Sequence, residues 1–95
     1  MNMAFEWDEQ RRQANIAKHG IDFVDTKEIW NGEVLEIPSP RSERRERRFI
    51  AYGLIEGKVI AVVYTWRGRS RRLISARRAR RYEEETYQSA FGRRA

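Results

Sequence analysis

Hydrophobic and polar positions follow two different periods along the chain, and this change divides it into helices and strands. Residues 9–19 lie between Asp8 and Gly20, an acceptor able to cap the first turn of a helix and a residue able to end one. Asp22 can begin a second, shorter helix over residues 23–30 in the same way. The pattern therefore predicts two N-terminal helices.

The middle of the chain has the composition of β-strands. Residues 33–37 alternate weakly before a proline-rich loop, which is typical of an edge strand. Residues 47–55 and 58–66 are rich in β-branched and aromatic side chains and are separated by a short turn, so they predict a central hairpin. Residues 71–75 predict a further strand that pairs with it.

The last segment predicts a helix that begins with Ser75 as its N-cap. The apolar stripe of that helix is expected to consist of Ala79, Tyr82, Thr86 and Ala90. Consecutive strands with short connections pair antiparallel, and helices must cover at least one face of the sheet. We therefore predict an α+β fold with a four-stranded antiparallel sheet, two N-terminal helices and a C-terminal helix.

The composition limits the class of protein. A chain of 95 residues builds one small core, and a sequence without cysteine has neither disulfides nor thiolate metal sites. The longest apolar run, residues 59–66, is too short to cross a bilayer, and the N-terminus lacks the apolar core of a signal peptide. We therefore expect a single cytoplasmic domain over residues 1–95.

Arginines concentrate between residues 67 and 81 of a chain whose net charge is +6. If the final helix starts near Ser75, then Arg77 and Arg80 lie at its positive end, where each exposed cation is unfavourable by roughly 0.3–1 kcal/mol. Guanidinium groups beside a helix N-terminus form a strong phosphate site, so this placement favours a nucleic-acid partner. The alternatives are arginines that only keep a small surface soluble, or that dock on an acidic protein.

Two aromatic residues, Tyr64 and Trp66, precede this cluster at the end of a predicted central strand. Either ring can stack on an unpaired base. The alternative is that both rings pack in the core, as aromatic residues of apolar strands usually do. Their strand parity is opposite to that of Arg67, so they are expected on the other side of the strand from it.

Motifs spread over almost the whole chain resemble those of the BrnT family of type II toxins. They are Trp7-Asp8, Asn15, Lys18-His19-Gly20 and Phe23 in the N-terminal part, then Tyr64-Thr65, Arg67 and Ile74-Ser75-Ala76-Arg77, followed by a late helix rich in Glu and Tyr. Each motif is weak alone, but their joint order is specific. The resemblance implies a RelE-like fold, metal-independent RNA cleavage that arrests growth, and neutralisation by an antitoxin of the BrnA type that carries a DNA-binding domain.

The sequence departs from the family's usual pattern at one position. Family members often carry lysine where this chain has Arg11, which keeps the charge but removes a group able to exchange a proton at neutral pH. The stretch from residue 38 to residue 48 is also rich in arginine. It is either a solvated loop or an enlargement of the RNA-binding surface.

RNA cleavage without a metal requires a group that removes a proton, a group that supplies one, and cations that stabilise the phosphate. With one histidine in the chain, a catalytic histidine pair is excluded. We expect Arg67 and Arg77 to hold the phosphate, because guanidinium groups stay protonated. His19 is the natural titrating group, with Lys18 beside it to bind substrate, and Glu46 is a second candidate for the base.

Structural alternatives accompany these roles. A protonated His19 would also stabilise the negative end of the first helix, and the alternative for Glu46, which its arginine neighbours favour, is a surface ion pair. Further contacts to RNA are expected from a set of basic and aromatic side chains, namely Arg11, Arg48, Tyr64, Trp66, Arg72 and Arg78. We expect no metal or other cofactor. The alternative function is a non-catalytic module that binds RNA or the ribosome through the same arginines.

Overall fold

The structure is a computed structural model that describes residues 4–41 and 46–92. Its elements in chain order are β1 (Ala4–Glu6), α1 (Glu9–His19), α2 (Phe23–Thr26), a 3₁₀ helix (Lys27–Asn31), β2 (Leu35–Pro38), β3 (Arg48–Ile55), β4 (Lys58–Arg67), β5 (Ser70–Arg78) and α3 (Arg81–Ala90). The predicted α+β class is confirmed. Part of the arginine-rich stretch predicted as a loop or RNA surface, residues 42–45, lies outside the described residues.

The sheet has five strands in the order β1-β5-β4-β3-β2. Strands β2 to β5 pair antiparallel, as predicted, whereas β1 pairs parallel with β5 through Ala4–Glu6. The prediction of a four-stranded antiparallel sheet is therefore wrong at this edge. A strand of three residues is too short to show a recognisable alternation of polar and apolar positions.

The two N-terminal helical segments form where they were predicted. Asp8 Oδ1 accepts a hydrogen bond from Gln10 N at 3.2 Å, and Gly20 ends α1 in the left-handed conformation with φ 70°. The second predicted helix consists of α2 followed by the 3₁₀ helix. This 3₁₀ segment packs so closely on β3 that a side chain larger than that of Gly53 would clash with it. A Cβ built at Gly53 would lie 2.4 Å from Ile29 Cβ.

The predicted start of the last helix is wrong. Ser75 lies inside β5, which continues to Arg78, and α3 begins six residues after Ser75, at Arg81. The strand persists because its backbone pairs with β4 as far as Arg78. Arg77 therefore extends from a strand and not from the positive end of a helix.

The later start also shifts the buried side of α3. Its buried residues are Glu83 and Tyr87, whereas Tyr82, predicted in the apolar stripe, is 62% exposed. Acidic residues occupy the first turn, where they favour the helix dipole. Of the arginines predicted at the positive end of this helix, Arg80 is its N-cap and Arg81 its first residue, whereas Arg77 and Arg78 belong to β5.

The sheet has two differently covered faces. The first face carries α2 and the 3₁₀ helix, with Phe23, Ile29 and Leu73 in its core. The second face carries α3, whose Tyr87 packs in a cluster with Tyr52 and other residues near the β3–β4 turn. Helix α3 covers only that end, so the rest of the second face is open. None of the helices within residues 4–41 and 46–92 is long and apolar enough to cross a membrane.

Asn15 joins α1 to the outer side of β5, beyond the three residues of β5 that pair with β1. Its Nδ2 donates to Ala76 O at 2.9 Å, and its Oδ1 accepts from Ala76 N at 3.0 Å. The same Nδ2 also donates to Ile21 O at 2.9 Å. The amide side chain thus supplies the donor and acceptor that a neighbouring strand would otherwise offer.

Replacing Asn15 by alanine is expected to lower the free energy of unfolding by about 2–3 kcal/mol, because it leaves buried backbone groups of Ala76 without partners. Gln13→Ala, on the exposed side of the same helix, is the matched control and should change stability by less than about 0.5 kcal/mol. Urea unfolding followed by circular dichroism measures both. Equal changes in the two variants would show that the hydrogen bonds of Asn15 to Ala76 contribute no more to stability than an exposed side chain does.

Candidate active site

A cleft of about 380 Å³ opens on the second face of the sheet, beside α3. We call it the sheet-face cleft, and its polar lining includes Arg41, Arg48, Ser75, Arg77, Arg80, Tyr82 and Glu83. Four of these residues are arginines, and Glu83 is the one carboxylate among the described residues that line it. The lining residues of the cleft therefore carry a net positive charge, which suits an anionic ligand.

Glu83 is the carboxylate that organises this cleft. It is 4% exposed and accepts from Arg77 Nη1 at 2.7 Å and from Arg77 Nη2 at 3.0 Å. It also accepts from the Tyr52 hydroxyl and from Arg80 N, each at 2.8 Å. The bond to Arg80 N caps α3, so one side chain fixes both the helix terminus and the guanidinium of Arg77.

These bonds determine the protonation state of Glu83. The Arg77 guanidinium is the main reason that its pKa falls from 4.5 to about 2, and this effect outweighs the opposing effect of burial. Burial, followed by the neighbouring carboxylate, raises the pKa of Tyr52. A carboxylate that has so low a pKa and already accepts four hydrogen bonds is a poor proton acceptor. Glu83 therefore positions Arg77 and is not suited to be the base.

A second cleft, of about 460 Å³, lies where β3 and β4 meet at the end of the sheet away from their connecting turn. We call it the end cleft, and it is lined by Glu46, Arg47, Phe49, Thr65, Trp66 and Arg67. Arg48 Nε donates to Glu46 Oε2 at 2.9 Å, so an ion pair joins the two clefts. The structure thus brings together four predicted site residues, Glu46, Arg48, Trp66 and Arg67, and places Arg77 in the adjoining cleft.

Tyr64 has a structural role in place of the predicted contact with RNA. Its side chain is buried, 2% exposed, and its hydroxyl donates to Glu36 Oε1 at 2.5 Å. Burial, together with that carboxylate, raises the pKa of Tyr64 to about 12. A ring enclosed in this way cannot stack on a base, so the prediction for Tyr64 is wrong, whereas Trp66 is 45% exposed.

The predicted acid or base, His19, and its neighbour Lys18 lie elsewhere. Both are exposed at the C-terminal end of α1, and neither lines the sheet-face cleft or the end cleft. The next residue, Gly20, lines a different pocket with Lys58, at the start of β4, whereas Arg67 ends that strand. Ten residues of strand span roughly 30 Å, so His19 and Arg67 do not share one site.

The remaining predicted contacts are dispersed. Arg72 Nη1 donates to Glu6 Oε2 at 2.8 Å and so ties β5 to β1. Arg11 is exposed on α1, and Arg78 is exposed at the end of β5. Sequence reasoning counted Arg80 among the arginines of a phosphate site without selecting it as a site residue, and it missed Tyr82 because it assigned that residue to a buried stripe. The available signal was Glu83, whose spacing from Arg80 fits a capping contact.

Comparisons with known proteins agree with this architecture. A family profile described as "Ribonuclease toxin, BrnT, of type II toxin-antitoxin system" matches residues 7–83. The chain belongs to the BrnT family. It is therefore a ribonuclease toxin of a type II toxin–antitoxin system, with an RNA substrate and an antitoxin partner.

A solved member of the BrnT family shows the same fold. The crystal structure of the Brucella abortus ribonuclease toxin BrnT matches with a TM-score of 0.64 and 34% sequence identity, over 84% of this chain and 100% of that chain. No curated protein sequence matches the chain significantly. Over residues 4–41 and 46–92, no three His, Cys, Asp or Glu side chains converge in a way that could hold a metal ion.

The low pKa of Glu83 predicts how stability depends on pH. Its folded pKa of about 2 lies below its usual 4.5, so the stabilisation is fully present above about pH 4.5 and is lost as the pH falls toward 2. Glu83→Gln should lower the free energy of unfolding by about 3 kcal/mol at neutral pH and by progressively less across that acid range. Urea unfolding at a series of pH values measures the difference between the two proteins.

The unaltered protein must be measured alongside, because a second carboxylate also loses stabilising contacts in acid. Asp22, bonded to Arg12, has its pKa lowered to about 2, and its effect is common to both proteins. Glu84→Gln, at the next and more exposed carboxylate of α3, is the matched control. A difference between the Glu83→Gln variant and the unaltered protein that stays constant between about pH 5 and pH 2 would contradict the assignment.

Proposed function

We propose that the BrnT-family chain binds the scissile phosphate of RNA at the Arg48 end of the sheet-face cleft, where Glu46 lies, and cleaves it without a metal ion. The observation that carries this proposal is the excess of positive charge in the sheet-face cleft. Four arginines line it, and Glu83 is the one carboxylate among the described residues that do so. A phosphodiester gains negative charge on its nonbridging oxygens as the 2′-oxygen attacks. Fixed guanidinium groups stabilise that charge without changing their own protonation.

Arg77 is the principal cation of the inner part of the cleft, where it holds a phosphate that neighbours the scissile one. Its two-point contact with Glu83 fixes the plane of the guanidinium, and its side chain keeps 20% of its surface exposed toward the cleft. Arg80 flanks it, and no carboxylate of the described residues lies within ion-pair distance of the Arg80 side chain. Arg77 therefore supplies orientation, whereas Arg80 supplies a charge that a ligand can neutralise.

Proton transfer requires groups other than arginine. Glu46, at the junction of the clefts and 35% exposed, accepts the proton of the 2′-hydroxyl. The 2′-oxygen then forms a bond to phosphorus while the bond to the 5′-oxygen breaks. Water donates the proton that the leaving 5′-oxygen takes up. The products are a 2′,3′-cyclic phosphate and a 5′-hydroxyl end.

The remaining expectations concern the biological setting. The RNA substrate favours action in the cytoplasm, where cleavage arrests growth. An antitoxin of the BrnA type, with its own DNA-binding domain, neutralises the toxin by covering the arginines with carboxylates. The family resemblance and the charge of the cleft support these statements, and the same resemblance supports likeness to the RelE fold.

Purified protein is expected to cleave single-stranded RNA in EDTA and to leave cyclic phosphate ends, and a 2′-deoxy nucleotide at the cleaved position should block the reaction. Glu46→Gln should lower the single-turnover rate by about 100-fold, because it removes the proton acceptor. Gel electrophoresis of labelled RNA measures the rate. RNA left intact at high concentrations of the unaltered protein would instead support a module that only binds RNA.

His19→Ala provides the control for this assignment, since His19 lines neither cleft. Its cleavage rate should stay within about threefold of that of the unaltered protein, because it removes no group of the proposed site. A loss of tenfold or more in a variant that melts normally would return the proton-transfer role to His19 and contradict the proposed site.

The antitoxin and RNA are expected to compete for the sheet-face cleft. Arg80→Glu should weaken both interactions by more than tenfold, because it reverses an exposed charge at the cleft. Arg11→Glu makes the same change of charge on α1, away from the cleft, and should alter either affinity by less than threefold. Titration of the toxin–RNA complex with antitoxin measures the competition, and formation of a ternary complex with full RNA binding would contradict it.

A further inference from the structure

The partly exposed ring of Trp66 is held in a fixed orientation by Arg71 and Tyr64. The Arg71 guanidinium lies 4.5 Å from the Trp66 ring centroid, and the Tyr64 ring meets Trp66 edge to face with centroids 5.7 Å apart. Arg71 itself also lies over Trp30, at 4.8 Å, and donates to Glu36 Oε1 at 3.4 Å. The contacts fix the orientation of an indole that remains 45% exposed.

The register of the sheet places a second flat cation beside this ring. Arg48 pairs with Thr65, so the preceding residue, Arg47, comes opposite Trp66 on the same side of the two strands. Arg47 is exposed and lies 6.0 Å from the ring centroid of Phe49. Arg47, Phe49 and Trp66 all line the end cleft, together with Arg67. The cleft therefore combines an exposed indole, a guanidinium plane and a cation at the strand end.

We propose that the end cleft is a nucleobase subsite, in which one unpaired base of the RNA stacks on Trp66 while Arg67 neutralises the adjoining phosphate. This inference rests on the proposed function, because the Glu46–Arg48 ion pair makes the end cleft continuous with the cleft that holds the scissile phosphate. The bound strand passes from the second face of the sheet over the ends of β3 and β4. A base must be unpaired to stack on the Trp66 ring, so the subsite selects single strands over duplexes. Stacking tolerates every base, so the subsite does not select a sequence.

A base fits the end cleft better than a protein partner does. A ring held from behind by Arg71 offers one flat face at little cost in conformational entropy, and guanidinium planes stack on bases as well as binding phosphate. A partner helix would instead require a continuous apolar patch. The end cleft is lined by two arginines and a glutamate beside its aromatic rings, so it offers no such patch.

The test measures the affinity for 2′-O-methyl RNA oligonucleotides, which bind without being cleaved, by fluorescence anisotropy. One nucleotide at a time is replaced by an abasic residue. In the unaltered protein, one abasic position should weaken binding by about 5- to 100-fold, the range expected for loss of one base–aromatic stack. Trp66→Leu keeps apolar contact with Arg71 but removes the aromatic face, so it should weaken binding of the intact strand similarly and become insensitive to that abasic position.

Trp66→Phe should retain most of the sensitivity to the abasic position, because it retains an aromatic ring. Val24→Ala removes an apolar side chain that is equally exposed, at 45%, but lies on α2, and should behave as the unaltered protein. If the leucine and phenylalanine variants respond alike to the abasic scan, or if only antitoxin binding changes, the subsite is excluded.

The binding test is independent of catalysis. Unaltered protein that binds these strands but cleaves no RNA would overturn the proposed function and leave the subsite intact. Normal cleavage together with an unchanged abasic profile in Trp66→Leu would overturn the subsite alone. Failure of the unaltered protein to bind RNA would overturn both.

Discussion

The buried contact between Arg77 and Glu83 is the interaction on which both the fold and the proposed site depend. It joins the end of β5 to the first turn of α3, and through Tyr52 it also reaches β3. Burial of a charged pair costs desolvation energy, which is offset here because Glu83 accepts four hydrogen bonds. The contact therefore fixes where α3 lies, and that position leaves half of the second face open.

The arginine cluster of the sequence is divided between structural and functional roles. Arg71, Arg72 and Arg77, all on β5, reach carboxylates on β2, β1 and α3 respectively. Each pair connects β5 to a separate element, so the crowding of positive charge along this strand is balanced by carboxylates from distant parts of the sequence. Arg67 and Arg80 have no such described carboxylate partner, and their charge is available to phosphate. Clustering in sequence thus does not imply a single ligand surface.

Local signals predicted the elements that local chemistry determines. Asp8 and Gly20 define α1, and the apolar hairpin of β3 and β4 was recognisable because nearly every side chain there is apolar. The start of α3 was not predictable locally, because Ser75 is an excellent N-cap and only pairing with β4 keeps it in a strand. Likewise, the sequence indicated Arg77 and Glu46 as site residues, but it offered no measure of how far His19 lies from them.

The arginines of the sheet-face cleft and Glu83 also determine how the proposed reaction depends on pH. Guanidinium groups stay protonated, and Glu83, with a pKa of about 2, stays ionised at every pH at which the protein is expected to act. The charge of the residues that hold the phosphate therefore does not vary across the neutral range. Any pH dependence of cleavage must then come from the groups that exchange protons with the substrate. A cleft built from arginine and one ionised carboxylate thus separates phosphate binding from proton transfer, and each can be altered without the other.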